Sequence, residues 1–179
     1  VTNSAIPAVD KTVNGLDPAI IPTLATDLIY RVSVTLPSDV SGYKKLVLQD
    51  TLPIILTIGE PSLEVDGTPS TAPENSIAVD GQKVTLTLTE NFAAYAGKTV
   101  TLVIPATINT GHADFADYLE AGEIENTASV SLNDSQYTNE DTATVILPTS
   151  ATATKIWLNA PSSTHPDIWF KLYRTAVLA

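Results

Sequence analysis

Val9-Asp10-Lys11-Thr12-Val13 alternates as a strand does, so Val9, Lys11 and Val13 share one face. A lysine thus stands in an apolar row, in a chain with only nine Lys and Arg together. Two later stretches repeat the pattern. In Leu46-Val47-Leu48-Gln49-Asp50-Thr51-Leu52, Asp50 is in phase with three leucines. In Ile124-Glu125-Asn126-Thr127-Ala128-Ser129-Val130, Asn126 is in phase with Ile124, Ala128 and Val130. A single polar residue near a strand end commonly sits at a sheet rim, in water. Three together predict polar groups that meet inside a core, where an ammonium or carboxylate has to be neutral or partnered.

Outward from these stretches the period of two persists. Tyr30, Val32, Val34 and Leu36 point one way within Thr26 to Leu36, and Arg31, Ser33 and Thr35 the other. Asp80-Gly81 between Ser76-Ile77-Ala78-Val79 and Gln82 to Leu88 reads as a hairpin. Thr99 to Ile104 alternates again, and the Asn126 strand is expected to pair with Thr142 to Ile146 across a polar loop at Asn133 to Asp141. Pro61 to Asn75 reads as loop with a weak strand at Ser62 to Val65. Asn91 to Ala96 reads as a helical turn closed by Gly97, and Ala113 to Leu119 as a short helix stopping near Gly122. Many short strands with turns between them predict an all-β fold, an antiparallel Ig-like β-sandwich.

Composition agrees and narrows the function. Hydrophobic residues make up 44% and aromatic residues 6%, a mix that favours small β-rich domains. A net charge of -11 argues against a nucleic-acid binder, which needs a basic face, and against docking on anionic lipid. With no cysteine there are no disulfides, thiolate metal sites or cysteine nucleophiles, so an extracellular chain of this kind needs another staple. No apolar run approaches membrane-spanning length and no signal peptide is visible; Val1 reads as a mature or recombinant boundary.

At Pro148-Thr149-Ser150 the composition changes, and both tryptophans, Trp157 and Trp169, lie beyond. Residues 1–148 are expected to form one sandwich, and 149–179 the first strands of a partial second β-sandwich domain.

Motifs for familiar chemistry are missing. There is no nucleophile elbow, zinc-protease helix, phosphate loop or dinucleotide fingerprint. His112 and His165 are lone, and the acidic run from Asn133 to Asp141 lacks ordered calcium-ligand spacing, so no metal or cofactor is assigned.

The stretches Pro7 to Val13, Leu48-Gln49-Asp50-Thr51-Leu52-Pro53 and Ile124 to Val130 resemble the isopeptide-forming domains of Gram-positive pilins and surface adhesins, most closely the collagen-adhesin A-type. The resemblance covers roughly Ala5 to Pro148. It implies an amide between Lys11 and Asn126, with Asp50 as the acid that shuttles protons. Glu90, in phase with Val84, Leu86 and Leu88, is the rival acid. The tail resembles the opening of a collagen-adhesin B-type repeat, with Lys155 as its lysine. The chemistry suits the phase pattern: burial favours a neutral amine, which is nucleophilic, and a protonated acid. The reaction is a single turnover of the protein on itself, not enzyme catalysis. The resemblance implies an extracellular place on the bacterial wall or surface, partners among other domains of the same surface protein or pilus, and a structural, tension-bearing role. The alternative is a ligand-binding adhesin domain that recognises a host matrix protein or glycan through loops such as Pro61 to Asn75 or Thr107 to Leu119.

Overall fold

The computed structural model describes residues 6–148, apart from 72–74 and 136–137. The chain divides into two units, Val1–Pro148 and Thr149–Ala179. The expectations for the tail, Lys155 included, lie outside the described residues.

Among the described residues twelve strands follow in order: β1 (Val9–Val13), β2 (Ala19–Ile20), β3 (Leu28–Thr35), β4 (Leu46–Thr51), β5 (Leu56–Ile58), β6 (Ser62–Val65), β7 (Thr68–Ser70), β8 (Asn75–Asp80), β9 (Lys83–Leu88), β10 (Thr99–Ile108), β11 (Glu123–Leu132) and β12 (Asn139–Ile146). One sheet runs β1-β3-β10-β6-β7, with β5 also paired to β10; the other runs β2-β12-β11-β4-β9-β8. All pairs are antiparallel except β2 with β12, so the second sheet is mixed. The two sheets turn their apolar phases inward. Val32, Leu102 and Ile104 from the first, and Leu48, Leu86 and Val130 from the second, are fully buried. Burial of such side chains contributes about 1.5–3 kcal/mol each, which makes this face-to-face core the main stabilising term.

Turn chemistry joins the strands where expected. Asn14 and Gly15 both have positive φ, and Val13 and Leu16 exchange backbone hydrogen bonds, the tight hairpin turn that Asn-Gly favours. A 3-10 turn, Phe92–Tyr95, precedes Gly97. Helix α1 spans Phe115–Ala121, two residues later than expected, and ends at Gly122, whose φ of 79° admits glycine without strain.

Two local expectations are revised, and two short strands are added to them. Pro61 to Asn75 holds a hairpin, β6 with β7 around Asp66-Gly67, because two residues of positive φ turn the strand back on itself. Leu56–Ile58 is a strand, since β10 is long enough to pair β5 and β6 along the same edge. Ala19–Ile20 joins the second sheet beside β12. And β12 begins at Asn139, not Thr142, so the polar loop before it is shorter than expected.

Candidate functional site

Lys11, Asp50 and Asn126 come together between the sheets. Lys11 is on β1, at the edge of the first sheet, opposite Val32 of β3. Asp50 and Asn126 are on adjacent strands of the second sheet. β4 and β11 pair Asp50 with Ala128, which sets Asn126 diagonally beside Asp50 on the same inward face. All three side chains have left water: Lys11 is 1%, Asp50 0% and Asn126 2% exposed.

The Lys11 ammonium nitrogen donates to Asp50 Oδ2 in a very short contact, and Asn126 Nδ2 donates to the same oxygen at 3.3 Å. The lysine nitrogen also lies 5.2 Å from the centre of the Tyr30 ring. Burial pulls Lys11 below the usual lysine range, opposed chiefly by the charge of Asp50. Burial likewise pushes Asp50 above the usual carboxyl range, opposed by Lys11 and by the Asn126 hydrogen bond. Both groups are driven toward their neutral forms, an amine and a carboxylic acid, which together carry as many protons as the ion pair.

Hydrogen bonding here is incomplete. Among the described residues, Asp50 Oδ1, Asn126 Oδ1 and the Tyr30 hydroxyl have no partner. A buried polar atom left unpaired costs about 1–3 kcal/mol. Turning the Asn126 amide over exchanges its oxygen and nitrogen, and lets a protonated Asp50 donate to the carboxamide oxygen. The site then holds an amine, an acid and a carboxamide in mutual reach.

Glu90 is not among these buried groups. It follows β9 at an exposed bend, because the alternation that put it in phase with Leu88 ends with the strand. Two neighbours escaped the sequence reading. Tyr30 was assigned to the core on its phase, and its hydroxyl gave no signal. Asp141 accepts a hydrogen bond from the Lys11 backbone N–H at 2.7 Å. His112 is half-buried, and its Nδ1 accepts from the Asp114 backbone N–H at 3.2 Å.

The buried acid sets a pH dependence. With Lys11→Met the positive charge that holds Asp50 down is gone, and Asp50 stays protonated in the fold further above its ordinary 3.8. The unfolded chain ionises Asp50 near that ordinary value and so holds fewer protons. The stability Asp50 contributes is therefore full below about pH 4 and falls as pH rises through the folded value. Urea midpoints for Lys11→Met and Lys11→Met/Asp50→Asn are expected to diverge between pH 4 and 7, with the first falling. A constant difference would show that Asp50 ionises equally in both states.

Comparison with known proteins bears on the fold. No family model matches the chain. Over 86 residues, 46% of the chain, it is 43% identical to platelet adherence protein A of Streptococcus gordonii, of which it spans only 2%. Its fold is similar to BcpA, the major pilin subunit of Bacillus cereus, with a TM-score of 0.65 and 33% identity, covering 79% of this chain and 40% of that one. The N-terminal domain of the Streptococcus gordonii adhesin Sgo0707 has the same fold at a TM-score of 0.59 and 16% identity, covering 80% of this chain and 32% of that one. Residues 6–148 thus have a β-sandwich fold similar to that of a Gram-positive major pilin and a streptococcal adhesin domain, and the chain spans less than half the length of each of these relatives.

Proposed function

We propose that this domain is a structural, tension-bearing module of a bacterial cell-surface adhesin or pilus, stapled by an autocatalytic amide between Lys11 and Asn126. The observation that carries the reading is a lysine amine, a carboxyl and a carboxamide buried together with both Lys11 and Asp50 driven toward neutrality. The lone pair of Lys11 Nζ attacks Asn126 Cγ, and protonated Asp50 donates to the carboxamide oxygen as charge develops there. The new C–N bond forms as the Cγ–Nδ2 bond breaks. One Lys11 proton passes through Asp50 to Nδ2, which leaves as ammonia; the other stays on the new amide, and Asp50 ends protonated as it began. The product is neutral and needs no counter-charge, so the cost of burying ions disappears with the reaction.

The linked strands belong to different sheets, so tension cannot slide one sheet off the other without breaking a covalent bond. The chain has no cysteine, and this amide supplies the staple that a disulfide supplies elsewhere. The module works outside the cell, on the wall or surface, beside other domains of the same surface protein or pilus. Intact mass tests the reading. The full chain is expected to weigh one ammonia less than its sequence, and peptides carrying Lys11 and Asn126 to remain joined after digestion. A full sequence mass would remove the staple and leave an unlinked sandwich.

A further inference from the structure

Among the described residues, β1 is held by backbone strand pairing on one side only, by β3. That pairing fixes its register within the first sheet but not its distance from the second. On its other side two side chains of β12 take the place of a ladder. Asn139 Nδ2 donates to the carbonyls of Ile6 at 3.0 Å and Pro7 at 2.9 Å. Asp141 Oδ2 accepts from the backbone N–H of Lys11 at 2.7 Å. Asn139 and Asp141 are in phase with buried Ala143 and Val145; Asp141 is part-buried, and Asn139, at the start of the strand, is exposed. Ala143 in turn pairs with Asn126. One strand therefore holds the backbone of the residue that brings the amine and pairs with the residue that brings the carboxamide.

We infer that Asp141, seconded by Asn139, is a positioning residue for the condensation of Lys11 with Asn126: it clamps the free edge of β1 to β12 before any covalent link exists. The inference rests on the reading above. The reacting atoms come from different sheets, and the separation of the sheets at β1 is the coordinate along which amine and carboxamide must meet. Misplacement by about 1 Å is enough to slow such a step roughly 100-fold. Asp141 works here as an acceptor and not as a charge. Its carboxylate favours the ammonium form of Lys11, which opposes nucleophilic attack. Asn in its place keeps an acceptor oxygen and removes that opposition.

The test follows ammonia loss over time, by intact mass, in full-length chains made by cell-free synthesis. Asp141→Ala is expected to link roughly 10- to 100-fold more slowly than wild type. Asp141→Asn is expected to link at the wild-type rate or faster. Asn139→Ala, which removes the hydrogen bonds to the carbonyls of Ile6 and Pro7 before β1, is expected to slow linking by a smaller factor, and it carries the test if Asp141→Ala fails to fold. Asp141→Ala placed in the Asn126→Ala chain, which cannot link, is expected to keep a cooperative unfolding transition; a slow rate with the fold intact marks positioning. Linking by Asp141→Ala at the wild-type rate, or by Asp141→Asn as slowly as by Asp141→Ala, would overturn the inference while the amide itself stood. A wild type that never loses ammonia would overturn the condensation, and leaves every variant at full sequence mass.

Discussion

Asn126→Ala is expected to keep its full sequence mass and to melt roughly 10–20 °C below wild type. The Lys11–Asn126 link closes a loop of more than 100 residues. On the analogy of a disulfide, a loop of about 100 residues removes enough freedom from the unfolded chain to stabilise the fold by about 5 kcal/mol. For a domain of this size each kcal/mol moves the melting temperature by about 2–4 °C. In the folded variant Lys11 keeps Asp50, and the buried pair that the reaction would remove stays. The loss through the unfolded state adds to that cost, and calorimetry should record it with the sandwich spectrum unchanged. A shift of under about 3 °C, in a variant proved unlinked, would mean that the unfolded chain is already compact enough for the staple to matter little.

Asp50→Ala is expected to cost more. It blocks the link, because no acid remains to polarise the Asn126 carboxamide and carry protons, and it strands Lys11. Breaking a buried pair by removing one partner typically costs about 3–5 kcal/mol, partly relieved here because an unpaired lysine sheds its proton. The variant should melt below Asn126→Ala. Its pH dependence has the opposite sign to that of Lys11→Met. Lys11 is already held below its ordinary 10.5 by burial, and loses the carboxyl that opposed this. The unfolded chain then binds a proton that the fold refuses. The stability contributed by Lys11 is full above about pH 10.5 and falls as pH drops through the folded value. Melting curves at pH 9 and pH 6 measure the slope. Glu90→Ala, at an exposed bend, should link as wild type does; full mass in Glu90→Ala together with ammonia loss in Asp50→Ala would exchange the roles of the two acids.

The period of two carried the fold and the heart of the candidate site. An in-phase polar residue in a strand has one of two fates, the rim or the core, and three of them in one chain made the core the better reading. Lys11, Asp50 and Asn126 were legible on that ground, before any pairing was known. The same signal was present for Asp141, in phase with Ala143 and Val145, but β12 was read from Thr142, and the acid fell into an expected loop. Asn139 was lost with it. A strand that opens on Asn-Glu-Asp has low β propensity, and here its pairing with β11 outweighs that propensity. Of the β6–β7 hairpin, Ser62 to Val65 is legible as a strand, and β7 is not, because Thr68-Pro69-Ser70 carries no apolar alternation.

The sequence by itself therefore determined the class of fold, the inward phase of β1, β3, β4, β9 and β11, and the identity of the three buried polar groups, because alternation is a property of a single strand. Only the tertiary structure decided that Lys11 lies in one sheet and Asp50 and Asn126 in the other, that Asp50 and not Glu90 meets the lysine, and that β12 holds the free edge of β1. Those facts depend on which strands become neighbours and in what register. Phase along one strand carries no information about its partner, and the partners here are separated by up to 133 residues of chain.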